Sequence, residues 1–193
     1  MAASAGHAAL AIARLGAPGL MGKGGFRLKS AAFDDGEELD PSFTADEDDA
    51  VAPPLEWTAP PEGAVELVLI VEDPDAAGKE PACHWIVWGL APQKGQLLEG
   101  ETPPRAGKNA QGNSEWMLPR LEEGDRHQYV FQLFALDTRL DLSPGSSRKA
   151  LLEAMEGHVI AATILTAFYE GQDDEEEGDW DDVEIDAIDF DGK

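Results

Sequence analysis

Apolar residues in this chain gather in short runs rich in β-branched and aromatic side chains, and few follow the spacing of a helix face. Ala64 to Glu72 (AVELVLIVE) is apolar on both faces and predicts a central strand. His84 to Leu90 (HWIVWGL) predicts a second strand of the same kind, and His127 to Asp137 (HQYVFQLFALD) the longest and most aromatic one. His158 to Tyr169, rich in Val, Ile and Thr, predicts another strand, with helix as the alternative. Phe26 to Ser30 predicts a short edge strand. One clear helix is expected over Ser147 to Glu156, capped by Ser146 or Ser147 and stopped at Gly157. A shorter helix is expected at about residues 7–15. Strands outnumber helices and are joined by turn-rich connections, so the fold class is mainly β and mainly antiparallel, with a helix or two at the edge.

Composition then marks the boundaries. The segment Gly16 to Gly25 holds five glycines and a proline and cannot be the interior of a regular element. Residues 1–25 therefore read as an N-terminal extension with a Gly-rich loop, residues 26–171 as the folded domain, and residues 172–193 as an acidic tail. The extension reads as non-secretory, because no basic residue precedes its apolar part and Arg14 interrupts that part. A chain of 193 residues accommodates one such domain with a sizeable core. The tail carries twelve acids against the single Lys193 and is expected to stay solvated. Trp180 and Phe190 among those acids give a second reading, a partner-binding segment.

The formal net charge is −25, and a second acid run, Asp34 to Asp49, has no basic residue. A field of that sign repels polyanions, which excludes nucleic acid as a partner and disfavours docking on anionic lipid. The single cysteine, Cys83, excludes an internal disulfide and points to a reducing, cytoplasmic setting. No apolar run is long enough for a membrane span. Walker, CxxC and HExxH patterns are absent, and Gly-Asn-Ser114 is not a nucleophile elbow. No metal, cofactor or catalytic residue is therefore expected.

Candidate chemistry sits where strands end. The first strand runs straight into Asp73-Pro74-Asp75, where proline fixes its own φ and pushes Asp73 to extended backbone. If the strands ending at Glu72 and starting at His84 pair as a long-looped hairpin, Asp73 and His84 share a rim. His127 opens the third strand, and Tyr129, two residues on, shares its face. Asp73, His84, His127 and Tyr129 together suit a polar or anion-binding hollow, with a carboxylate orienting an imidazole and the imidazoles and phenol donating to an anion. Taken singly, Asp-Pro-Asp is a common turn, and Trp57, Trp85, Trp88 and Trp116 read as core or wall residues. Cys83 reads as inert.

These residues belong to a wider pattern. Leu28-Lys-Ser30 through Phe33-Asp-Asp-Gly36, Pro53-Pro-Leu-Glu-Trp57, Asp73-Pro-Asp-Ala76 with His84-Trp85, Gly107-Lys-Asn109 through Trp116 and Pro119, Gly124 through His127-Gln-Tyr129 to Asp137, and Ala154 to Val159 occur in order. In this the chain resembles the phosphatidylethanolamine-binding protein family, in its bacterial branch of Raf-kinase-inhibitor-like proteins. The resemblance implies a large central antiparallel sheet, a smaller second sheet and a few peripheral helices. It also implies an anion pocket formed by Asp73, His84, His127 and Tyr129, with Trp116 lining the mouth and Pro74, Asp75, Trp85 and Pro119 supporting it. Two departures alter the expected rim: Leu121-Glu-Glu123 replaces a proline-rich loop, and Gln128 replaces an arginine. The rim is thereby expected to lose a cation and gain two anions, and to hold phosphate less tightly than is usual for the family.

The function expected is non-enzymatic binding of a small anionic or phosphate-bearing ligand, with modulation of a partner protein such as a kinase or protease. Two alternatives stand beside it: a small hydrolase with His84 as general base oriented by Asp73, and an interaction protein acting through its acidic tail. Exposed strand edges also make a homodimer reasonable.

Overall fold

The computed structural model describes residues 5–172. Among these residues eight strands and three α-helices follow in the order α1 (Ala5–Ala8), α2 (Ala11–Leu15), β1 (Leu28–Lys29), β2 (Glu37–Glu38), β3 (Leu55–Trp57), β4 (Glu66–Asp73), β5 (Ala82–Leu90), β6 (Gly95–Leu97), β7 (Arg126–Leu136), α3 (Arg148–Met155) and β8 (Val159–Glu170). A five-stranded sheet has the order β2-β8-β7-β4-β5, and a three-stranded one the order β1-β3-β6. The large sheet is antiparallel throughout β8-β7-β4-β5, and β2 joins its edge in parallel. The mainly β class with two sheets and few helices is what the sequence predicted.

Apolar side chains on the two faces of the large sheet explain the layering. Leu67, Leu69 and Val71 of β4 pack with Trp85, Val87, Phe131 and Leu133 against Leu28, Leu55, Trp57 and Leu97 of the small sheet. Val68 and Ile70 face the other way and pack with Ile86, Trp88, Phe134 and Leu136 against Leu151, Leu152 and Met155 of α3. This double coverage buries every residue of β4, as its unbroken apolar run required. The run beginning at His158 is a strand, since β8 pairs with β7 from Arg126↔Glu170 to Leu136↔Val159. Ser147 caps α3, its hydroxyl accepting from the Ala150 N–H at 3.2 Å, and Gly157 takes a positive φ of 78° after the helix. The strand expected over Phe26–Ser30 shrinks to β1, an edge of the small sheet.

The N-terminal segment departs from expectation. The helix predicted over residues 7–15 is broken at Leu10, whose ψ of 148° is extended. Tertiary acceptors cause the break: the Ala11 N–H donates to the Glu72 carboxylate at 2.8 Å, and the Ile12 N–H to the Gln132 side-chain oxygen at 2.7 Å. Nor does the described part of the N-terminal segment stand wholly outside the packed body, because Ala11 is fully buried in the helix-side core and Arg148 donates to the Ala9 carbonyl. The packed body begins well before Phe26. The tail beyond Gln172, including Trp180 and Phe190, lies outside the described residues.

Candidate functional site

Four strand ends meet at one rim: the end of β4, the start of β5, the start of β7 and the end of β8. Strand alternation sends Asp73 of β4 and His127 and Tyr129 of β7 toward the small-sheet side. His84 would point the other way in a regular β5. The register, however, steps from Val71↔Trp85 to Glu72↔Cys83, so His84 is the extra residue of a β-bulge. A bulge re-aims a side chain. Here it leaves Cys83 in the helix-side core and sets the His84 ring edge-on to Tyr129, with centroids 5.0 Å apart.

The side chains are fixed by bonds on their inner edges. Asp73 is 3% exposed, and its Oδ1 accepts the backbone N–H groups of Asp75 at 2.8 Å and Ala76 at 3.0 Å. Its Oδ2 lies 2.7 Å from His127 Nδ1. His84 Nδ1 lies 2.6 Å from the Met117 carbonyl, which places the proton on Nδ1. The Met117 N–H returns a bond to the His84 carbonyl at 2.9 Å, tying the loop to β5. Trp116 stacks on Phe131 with centroids 5.9 Å apart, stands edge-on to Trp85, and donates its Nε1–H to the Phe43 carbonyl. It forms a half-buried wall beside His84.

The outer edges are different. Among the described residues, Trp88 Nε1 is the one buried side-chain polar atom with neither a partner nor solvent. The Nε2 atoms of His84 and His127 and the Tyr129 hydroxyl have no hydrogen-bond partner among the described residues, so each keeps contact with solvent. Tyr129 and His84 are only 1% and 4% exposed, so little of either ring beyond its polar tip meets water.

Burial sets the protonation states. It pushes the His84 imidazolium down from its ordinary range and His127 adds to this, against the Met117 carbonyl and the Asp73 carboxylate, which favour the charged form. Burial also raises the Tyr129 phenol, helped by the Asp73 charge, so the phenol stays a neutral donor. The Cys83 thiol is pushed up to about 12 by burial and then by the Glu72 charge, which keeps it protonated and inert.

Asp73, His84, His127, Tyr129 and Trp116 thus stand together at this rim, but three details differ from expectation. Asp73 orients His127, whereas His84 is oriented by a backbone carbonyl, so the Asp73–His84 pair of the hydrolase alternative is not formed. Gln128 faces the helix layer, where its Oε1 lies 3.2 Å from His7 Nε2, so its replacement of an arginine removes nothing from the pocket face. Glu122 and Glu123 line a neighbouring hollow of about 530 Å³ with Asp46 and Arg120, which supplies a cation beside them.

Sequence reasoning missed Met117, which acts through its backbone and leaves no side-chain signal. It also missed Tyr169, whose hydroxyl donates to Asp46 at 2.7 Å and whose phenol burial raises to about 12. It quoted Asn109 only as part of a motif. Asn109 is the hub of the loop that delivers Trp116 and Met117, donating to Asn113 and the Glu115 carbonyl and accepting from the N–H groups of Gln111 and Asn113. Supporting Pro119 is buried, and its carbonyl accepts the Ala45 N–H at 2.8 Å. No group of three or more His, Cys, Asp or Glu residues suited to a metal ion occurs among the described residues.

Comparison with known proteins adds to this geometry. The phosphatidylethanolamine-binding protein family model matches residues 29–170. A UPF0098 protein of Methanothermobacter thermautotrophicus is 38% identical over 149 residues, covering 74% of this chain and 97% of that protein. The crystal structure of CT736 of Chlamydia trachomatis, described as a homolog of the same family, superposes with a TM-score of 0.71 at 34% identity, covering 76% of this chain and 98% of that one. Escherichia coli YbcL, a family member at 24% identity, shares the fold with a TM-score of 0.69 over 76% of this chain and 99% of its own. With its two sheets and the match over 29–170, the chain belongs to the phosphatidylethanolamine-binding protein family as a member of its bacterial type.

Proposed function

We propose that this chain is a non-enzymatic pocket protein that binds a small anionic or phosphate-bearing ligand among His84, His127, Tyr129 and Trp116. One observation carries the reading. Three polar tips at one rim, on side chains otherwise buried or locked by their inner edges, have no partner among the described residues. A neutral phenol is a donor to an oxyanion at any working pH. Neutral imidazoles with Nδ1 already donating present lone pairs at Nε2, so accepting an oxyanion requires a proton on ligand or ring. Binding is therefore coupled to proton uptake and weakens as pH rises, and burial, which holds the His84 imidazolium below its ordinary range, places that residue's share of the loss on the acid side of roughly 6.5.

Calorimetry with inorganic phosphate and phosphoethanolamine at about pH 5.5 and pH 8 tests this, because the two conditions bracket the imidazole range. Tighter binding at the acidic pH is expected, and His127→Ala should lose it while keeping its melting temperature. Equal affinity at both pH values removes the histidine mechanism, and no binding at either overturns the pocket reading. Modulation of a kinase- or protease-type partner through this mouth is the extension that the family resemblance motivates. A cytoplasmic setting belongs to the same proposal. No helix of the described residues is long and apolar enough to cross a membrane, and one relative, from Mycobacterium tuberculosis and 35% identical, bears the name lipoprotein LppC.

A further inference from the structure

Residues ahead of the family match reach the pocket from behind. Gly6 lies so close to the Asp73-Pro74-Asp75 turn that a Cβ there would stand 2.1 Å from the Pro74 carbonyl oxygen. His7 Nε2 is 3.2 Å from Gln128 Oε1, and its Nδ1 is 3.7 Å from the Asp75 carboxylate. That same carboxylate accepts the Gln128 N–H at 2.9 Å, bridging the turn to the strand that carries His127. Farther along, the Ala11 N–H is held by Glu72, the residue before Asp73. The backbone that sets the Asp73 carboxylate is thus held on both sides by one segment, and the carboxylate in turn holds His127 Nδ1.

We infer that residues 5–12 are a positioning element of the pocket, with Gly6 and His7 as positioning residues that fix the Asp73–Asp75 turn and thereby the aim of His127. Turns at the end of a sheet fray when nothing packs on them. A carboxylate that swings by a fraction of an ångström loses hydrogen-bond alignment quickly. Docking a segment whose own N–H groups are already bonded to β4 and β7 holds the turn still. The segment precedes the family match, which begins at residue 29, so it supplies this chain with a support the family pattern does not encode.

The test uses the full chain and two readouts. The affinity arm, calorimetric binding of inorganic phosphate, rests on the pocket reading above. The second arm, the downfield NMR resonance of the His127 Nδ1 proton, rests on the Asp73 contact alone. Gly6→Val and His7→Ala are expected to weaken phosphate binding roughly tenfold, the scale of losing one supporting hydrogen bond, and to shift or broaden that resonance. His7→Gln, which keeps a donor toward Gln128, is expected to recover part of both. Leu140→Ala, which loosens the helix-side core away from the rim, controls for stability and is expected to lower the melting temperature while leaving both readouts as in the wild type. Strap variants that melt earlier but keep the affinity and resonance of the wild type would overturn the inference. If the wild-type protein binds no phosphate while the resonance still moves in Gly6→Val, the positioning role stands and the pocket reading falls. No binding and an unmoved resonance overturn both.

Discussion

His84 is where burial and function pull in opposite directions. Desolvation holds its folded-state pKa below the ordinary imidazole value, so the native protein resists protonation that the unfolded chain accepts. The sign follows. Between the two pKa values the unfolded state carries more protons, so stability rises with pH. The contribution is complete above roughly 6.5, and it is lost as pH falls from there toward the folded-state value. Melting temperatures measured without phosphate should therefore fall on acidification more steeply for the wild type than for His84→Asn, which has nothing to titrate. Parallel pH profiles for the two proteins would contradict this. Added phosphate should flatten the wild-type profile if the pocket reading holds, because a bound anion stabilises the charged imidazole. Asp73 is the opposite kind of residue. Its carboxylate is almost inaccessible yet satisfied by two backbone N–H groups and an imidazole, so it serves as a fixed reference for its neighbours.

At the scale of elements, the site depends on two irregularities. The bulge in β5 turns His84 onto the face of Tyr129, and the loop organised by Asn109 brings the Met117 carbonyl to His84 Nδ1. Asn109 is 5% exposed and its side chain makes four bonds to three loop residues, Gln111, Asn113 and Glu115, so it holds a long irregular segment in one shape. Asn109→Ala should cost about 2 kcal/mol, because a buried side chain that makes four bonds is removed and the partly buried loop groups it ties together lose their partner. It should shift the urea midpoint at unchanged slope and release His84 from the single tautomer that the Met117 carbonyl requires. Imidazole nitrogen shifts that still report only the Nδ1–H form would argue that β5 alone fixes the ring. On the opposite face, Glu72 gathers the Ala11 N–H, Gln132 and Arg148 around a fully buried carboxylate, joining α2 and α3 to the sheet. A buried charge of this kind is tolerated because each oxygen is occupied.

For the whole molecule, the doubly covered large sheet leaves its strand ends as the place where polar groups can converge. The overall charge of −25 opposes compaction. Raising salt from about 0.02 M to about 0.5 M shortens the Debye length from tens of ångströms to a few, so the melting temperature should rise. Scanning calorimetry checks this, and a flat or falling curve would mean that local pairs such as Arg126–Glu38 outweigh the general repulsion. The same field disfavours anionic ligands at long range, so a rim that draws in an oxyanion must do so through short contacts and protons.

Much of the architecture was legible in the chain. The doubly apolar run at β4 demanded cover on both sides, Ser147 and Gly157 bracketed α3, and Asp-Pro-Asp marked a rigid end to β4. These signals are local: burial demand, capping chemistry and proline geometry act within a few residues. Strands as short as β2, β3 and β6 were not legible, because two or three residues carry no periodicity and exist only through the partners they pair with.

The site divides along the same line. Sequence alone determined which side chains would reach the rim, because strand ends and alternation place Asp73, His127 and Tyr129 without reference to distant neighbours. Tertiary structure alone decided which group orients which: that Asp73 serves His127, that a loop carbonyl serves His84, that Gln128 turns away, and that the N-terminal segment braces the turn. The reason is that a one-residue bulge, a backbone acceptor and a docked segment owe their positions to contacts tens of residues apart. Such contacts form only once two layers have closed on each other.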